Sequence, residues 1–209
     1  MGSTWSVRLV PRRFLPLTVL LAGCVARPGE LGLHYPPIEP ERVLVAPQDA
    51  THAPAPMRVP MRVEVGTIHD ARPRARIGEE RARHDIVLRR LETPGPIEDW
   101  IRRGFVHELT RAEMDQGGAA PDLRIDLRLT HAYVTSRFQH EAELRLQAWI
   151  RCAGHGKVLA MPVIEETAIR DIETEGGAAE ALAVALRQAL VRLIDEARGS
   201  TPCPGIAAR

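Results

Sequence analysis

Serine, lysine and the short signatures of catalysis are scarce in this sequence. Beyond residue 23, serine occurs only at Ser136 and Ser200, and neither sits in the Gly-x-Ser-x-Gly turn that presents a nucleophile. There is no HExxH, no glycine-rich phosphate loop and no CxxC pair, so hydrolysis at a metal, phosphate cradling and dithiol exchange have no basis in the spacing. Lys157 is the single lysine. The other cations are arginines scattered along the chain, which fits either a compositional bias or a use for planar donors towards phosphate or carboxylate. With 28 basic against 27 acidic residues there is no basic block of the kind nucleic acid attracts. These absences point away from an enzyme and from a nucleic-acid binder, and neither a cofactor nor a metal is expected.

What is present first is a targeting pattern. Arg8, Arg12 and Arg13, with no acidic residue among them, precede an apolar run through Phe14, Leu15, Leu17, Val19, Leu20 and Leu21. The run is interrupted by Pro16 and falls short of the roughly 20 residues a permanent spanning helix needs, so residues 1–23 read as a signal peptide. They end in Leu21-Ala22-Gly23-Cys24, which resembles the lipobox of bacterial lipoproteins. Small residues fit a narrow peptidase groove, the cut falls between Gly23 and Cys24, and the Cys24 thiol receives the lipid. Two or more acyl chains, at about 0.8 kcal/mol per buried methylene, anchor a protein stably. Val25 rather than an aspartate follows Cys24, which implies the outer membrane, with the domain facing the periplasm. Loss of the three signal arginines turns the formal charge of +1 slightly negative.

The rest of the chain divides into a tether at 24–40, rich in Pro and Gly, a single domain at 41–199 and a short tail at 200–209. The tether is expected to be extended and to lift the domain off the membrane. A short strand at 42–46 leads into a proline-marked loop, after which Met61, Val63, Val65 and Thr67 alternate with polar residues as a half-buried strand does. Residues 72–83 read as a loop and 84–91 as a strand. Gly95-Pro96 opens a helix whose Ile97, Ile101, Phe105 and Leu109 form an apolar stripe, with Gly117-Gly118 as its stop. Two strands follow with strict alternation, Leu123 to Leu129 and Ala142 to Ile150. A further strand at 157–169 contains Pro162, a mark of an edge or bulge. The last helix carries Leu182, Leu186, Leu190 and Ile194 on one side. The expected fold is α+β: a mainly antiparallel sheet with two helices packed on one face.

With Asp70-Ala71-Arg72, an Ile77-Gly78 loop, Ile97-Glu98-Asp99-Trp100-Ile101, and Pro121-Asp122-Leu123 opening a long alternating strand, the layout resembles the YajG-type family of bacterial outer-membrane lipoproteins. That resemblance implies an envelope lipoprotein with no assigned catalytic residues. The auxiliary lipoproteins of ABC-type lipid transport systems are a similar architecture and the rival resemblance. Two functions follow: a non-catalytic binding or scaffolding module acting through an envelope protein partner, or a lipid-transport accessory, which needs an apolar groove between sheet and helices.

Several polar residues stand out. His69-Asp70 and His84-Asp85 would be metal or acid/base groups, but neither has a third ligand at a recognisable spacing, and loop polarity is the plainer reading. Asp70 and Arg72, two residues apart, suit bonds to the backbone of their own loop; alternatively Arg72, with Arg74 and Arg76, forms an anion-facing rim. If Leu127 faces Leu144, Arg128 lies opposite Glu143 and Asp126 opposite Arg145, two favourable cross-strand pairs. Cys152 shares the parity of the inward residues of its strand, and Cys203 lies just past the second helix, so a disulfide between them is expected in an oxidising compartment.

Overall fold

The computed structural model describes residues 28–35, 61–116, 120–153, 156, 158–171 and 176–199. The signal peptide, Cys24, the strand expected at 42–46, Cys203 and the tail lie outside them. In chain order the elements are β1 (Pro28–Glu30), β2 (Arg62–Asp70), β3 (Gly78–Arg81), β4 (Val87–Glu92), α1 (Ile97–Arg111), β5 (Asp115–Gln116), β6 (Leu123–Ser136), β7 (Gln139–Cys152), β8 (Val158–Ala160), β9 (Ile164–Asp171) and α2 (Gly177–Gly199).

The strict alternation of β6 and β7 makes them the spine of the sheet, which has nine strands among the described residues. They pair antiparallel from Leu123↔Cys152 to Ser136↔His140. The other edge of β6 is shared: β2 runs parallel to its first half, and β3 runs parallel to its last residues. Outward from β3 come β4 and then β1, while β8 and β9 line the far edge of β7. The sheet is therefore mixed, because the chain passes through α1 between β2 and β6 and so returns in the same direction. Both helices cover one face, as the α+β reading required. Leu123, Ile125, Leu127, Leu144, Leu146 and Ile150 are buried against them. Fully burying such a side chain contributes roughly 1.5–3 kcal/mol. The helix stripes are the expected ones, with Trp100 added in α1; in α2, Ala181, Ala185 and Ala189 are fully buried and let the helix lie close on the sheet.

Two bulges change which residues face the core, and neither is legible as simple alternation. In β2 the pairing skips from Val65 to Ile68, so Thr67 is exposed and Ile68 takes the buried place. Gly66 sits at this bulge because a Cβ there would collide with the Asp126 carboxylate. Arg102 of α1 donates to the Gly66 carbonyl at 3.1 Å, and the Thr67 N–H donates to Asp126 Oδ1 at 2.8 Å, so the freed backbone groups find partners. In β6 the register slips between Leu129 and His131, and the inward parity passes from odd residues to Ala132 and Val134.

The structure corrects several expectations. Residues 28–35 fall within the stretch read as an extended tether, yet β1 pairs with β4, Leu31 N–H donates to the Glu92 carbonyl, and the Tyr35 hydroxyl donates to buried Glu108 at 2.7 Å. Residues 78–81, read as loop, form β3, and the strand expected from His84 begins only at Val87. His84 and Asp85 adopt φ of 64° and 59° in a tight turn between β3 and β4. α1 stops at Arg111, before the glycine pair, with Glu113 at φ 53°. The expected strand at 157–169 is broken around Pro162 into β8 and β9. The proposed register also fails: Leu127 faces Ala148, Arg128 faces Gln147 and Asp126 faces Trp149. The turn that begins at Ser136 fixes the pairing. It places Arg124 opposite Arg151, a like-charge pair bridged by Asp126, which accepts from Arg151 at 2.9 Å and Arg124 at 3.3 Å.

Partial burial works to raise the Asp126 carboxyl pKa, but the bonds from Thr67, Arg151 and Arg124 overcome it and hold the group below the usual carboxylate range. Asp70 is depressed in the same way, burial being outweighed by its bonds from Arg72. A carboxyl depressed on folding stabilises the fold above its unfolded pKa of about 3.9, and that contribution is lost as pH falls through the folded value. Thermal midpoints measured downward from pH 5 should therefore drop more steeply in the natural chain than in Asp126→Asn. Parallel curves would show that the Asp126 network does not couple to folding.

Candidate functional site

β2 pairs with β6 as far as Leu129, and β3 takes up the same edge only at Val134. Between them no strand among the described residues covers the edge at 130–133, where the bulge lies. The chain crosses this gap as the loop from Arg72 to Arg76. It leaves through Ala71 N–H to the Leu129 carbonyl and returns where the Ile77 carbonyl accepts from Val134 N–H, both at 2.9 Å. Loop and gap enclose a cleft of about 300 Å³ lined by Arg72, Arg74, Arg76, Thr130, His131 and Tyr133, with Pro73 and Ala132.

The three arginines singled out from sequence thus meet at one cleft, in different states. Arg72 is the structural one: its side chain is only 5% exposed, and its Nε and Nη2 each donate to Asp70 at 2.8 Å, while Asp70 also accepts from Arg72 N–H. The expected backbone bond is realised for Asp70, which accepts from Arg72 N–H, whereas the Arg72 guanidinium bonds the Asp70 carboxylate and not the loop backbone. It leaves Arg72 Nη1 buried with no hydrogen-bond partner. Arg76 lies 3.6 Å from buried Glu79, which also pairs with Arg81. Arg74 is exposed. Tyr133, half-buried beside Glu79, has its phenol pKa raised by burial and by its bond to Glu79, with Arg76 opposing, so it stays a neutral donor.

Among the described residues two buried side-chain polar atoms lack a hydrogen bond, Arg72 Nη1 and His131 Nε2, and both belong to residues lining this cleft. His131 Nε2 lies 3.5 Å from Glu143 without hydrogen-bonding it. Leaving such an atom unpaired costs about 1–3 kcal/mol, more for a charged group. The arrangement suits an incoming anion. His131 and Tyr133 escaped the sequence reading because it placed no strand past Leu129.

The other candidates disperse. His69 is on β2 and His84 in the β3–β4 turn, and no cluster of three or more His, Cys, Asp or Glu suited to a metal exists among the described residues. Ser136 Oγ lies 2.7 Å from His140 Nδ1, a pair the sequence reading did not anticipate. These two face each other across the hairpin, and no described carboxylate hydrogen-bonds His140, so the contact reads as a cross-strand tie. Cys152 is buried at the end of β7 and is disulfide-bonded. The only other cysteines, Cys24 and Cys203, lie outside the described residues. If Cys24 carries lipid, the partner is Cys203. Thiol titration of the unfolded, unreduced protein should find no free thiol, and peptide mapping should recover 152 joined to 203; a 24–152 link would end both the pairing and the lipidation readings.

No helix of the described residues is long and apolar enough to cross a membrane. No protein-family model matches the chain, and no curated protein matches it by sequence. Solved structures similar to it include a Xanthomonas campestris protein of the DUF330 family, with TM-score 0.49, 13% identity and coverage of 84% of this chain and 95% of that one. A Chlamydia trachomatis protein, CT253, gives TM-score 0.44 at 6% identity, covering 68% and 97%. Lipoprotein GNA1162 from Neisseria meningitidis gives 0.32 at 11% identity, covering 66% and 99%.

Proposed function

We propose that this chain is an envelope lipoprotein, lipidated on Cys24 at the periplasmic face of the outer membrane. Its domain is a non-catalytic module that binds a carboxylate or phosphate group of a partner in the Arg72 cleft. The observation that carries the binding role is Arg72 Nη1, a buried guanidinium nitrogen without a hydrogen-bond partner on a residue lining the cleft; His131 Nε2, also without a hydrogen bond, already faces Glu143 at 3.5 Å. An anion would take the free guanidinium N–H in a charge-assisted bond, with exposed Arg74 as a further donor, while the Tyr133 hydroxyl is engaged by Glu79. Holding Arg72 rigid through Asp70 lowers the ordering cost of binding. A lipid-transport accessory gripping an acyl chain would need an apolar groove between sheet and helices. Leu144, Leu146, Leu182 and Leu186 fill that space and are fully buried, and the cleft is lined by three arginines, which favours an anionic group over a lipid tail.

Titration of the lipidated protein in detergent with inorganic phosphate and with acetate, followed by NMR of arginine Nε–H and histidine signals, should perturb Arg72 and His131 selectively. Arg72→Gln should weaken binding about tenfold or more, as loss of a bond to a charged group worth about 1.5–3 kcal/mol implies. Arg74→Gln, which touches no fold contact, should weaken it less and leave the thermal midpoint unchanged. Saturable binding indifferent to both changes would remove the cleft from the function.

A further inference from the structure

Of the large apolar side chains exposed among the described residues, the four most exposed are Phe138 at 69%, Ile86 at 61%, Leu88 at 57% and Ile169 at 53%; Val106, Val158, Val163 and Val191 are less so and lie apart. The four most exposed lie at one end of the sheet. Ile86 closes the β3–β4 turn, and its carbonyl accepts from Ala82 N–H. Phe138 is the tip of the β6–β7 hairpin, joined to that turn by Arg137–Asp85 at 3.3 Å. Ile169 pairs with Glu141, three residues beyond the tip. Scattered exposed leucines need no explanation, but a gathered set does.

The same end is where the chain comes in. β1 pairs with β4 in parallel, Pro28 opposite Arg90, so its N-terminal direction points along β4 towards Leu88 and Ile86. Cys24 is four residues before Pro28. Four residues reach at most about 14 Å, whatever path they take. Since 28–35 is bonded into the domain and not part of a free tether, that reach sets how far the domain can stand from its anchor. Arg89 and Arg90 are exposed beside the apolar group, and the Arg137 guanidinium lies 4.9 Å from the centre of the Phe138 ring. Arg89 pairs with Glu80 at 3.2 Å and Arg137 with Asp85 at 3.3 Å, so the acids at this end are matched by arginine, and apolar tips with cations beside them suit a surface that sits among headgroups.

We infer that this end of the sheet, with Ile86, Leu88 and Phe138 at its tips, docks on the bilayer that holds the Cys24 lipid. The domain then stands on the membrane in one orientation. This rests on the lipidation of Cys24 and extends it. Each such side chain moved from water into hydrocarbon favours the docked state about tenfold or more.

The test uses the full lipidated protein in vesicles of phosphatidylethanolamine and phosphatidylglycerol with bromine on the acyl chains. Phe138→Trp places a reporter at the tip, and Val158→Trp places one at the opposite end of the sheet, where β8 meets Arg151. The unsubstituted protein gives the background. Tip emission should be quenched at least about fivefold more strongly than emission at 158, consistent with burial 5–10 Å deep. The triple change Ile86→Ser, Leu88→Ser, Phe138→Trp should bring quenching down to the level at 158 while the protein still floats with the vesicles. Flotation with equal, weak quenching at both positions overturns docking and leaves the anchor standing. Failure to float overturns the anchor and docking together. A tip shielded by a second copy, seen as concentration-dependent dimers without quenching, assigns the patch to self-association and overturns the membrane reading.

Discussion

Gly78→Ala should cost about 3 kcal/mol, near the upper end of what overpacking usually does. A Cβ at this position would drive into the Val134 carbonyl oxygen and stand 2.5 Å from Val134 Cγ1. The oxygen belongs to backbone and cannot turn aside. Val134 N–H is bonded to Ile77, and Val134 itself is paired with Ala142 across the central hairpin. Relief therefore requires β3 to move off β6, which opens the wall of the Arg72 cleft as well. For a domain of this size the thermal midpoint should fall by roughly 6–12 °C. Gly95→Ala is the matched control, because a Cβ there meets nothing within 4 Å, and it should stay within about 0.5 kcal/mol. Equal midpoints for the two variants would mean that the parallel β3–β6 contact is not as close as the structure has it.

Gly78 also marks the boundary of what could be read in the sequence. Alternation over Leu123–Leu129 and Ala142–Ile150, and the stripes of α1 and α2, were legible because one face of each is buried and the other wet. β3, Gly-Glu-Glu-Arg, has no alternation: its first residue has no side chain and buried Glu79 is held by Arg76 and Arg81. Ionic pairing within the fold looks the same in sequence as a solvated loop. The bulges at Gly66 and at Thr130 reverse the parity that alternation relies on, so the continuation of β6 as far as Ser136 was hidden. The charge argument for the β6–β7 register failed for a related reason. Exposed cross-strand pairs contribute only about 0.2–1 kcal/mol, too little to outweigh the hairpin turn. The arginines of the cleft were visible as a group, since three fall within five residues; His131 and Tyr133 arrive from another strand and nothing local announces them.

Cys24→Ala should abolish incorporation of labelled palmitate completely, because the sequence offers no second lipobox and Cys152 is already disulfide-bonded. This is the largest effect expected of any single change in the chain. The natural protein, cut before Cys24, should begin with a lipid-modified cysteine when its N-terminal peptide is weighed, and should enter the detergent phase quantitatively. Membrane association of the variant is a less clean readout than labelling. Without lipid on residue 24 the signal peptide would remain uncut, and its apolar run through Phe14 and Leu21 can hold the precursor to a membrane on its own. Docking through the exposed Ile86, Leu88 and Phe138 would add affinity of its own. Three measurements separate these contributions: palmitate labelling reports the thiol, the mass of the N-terminus reports cleavage, and a high-salt wash reports the arginine contacts, which salt screens. Lipid label that survives Cys24→Ala, or a natural N-terminus free of acyl groups, would remove the anchor, and with it both the envelope assignment and the orientation inferred from the three residues between Cys24 and β1.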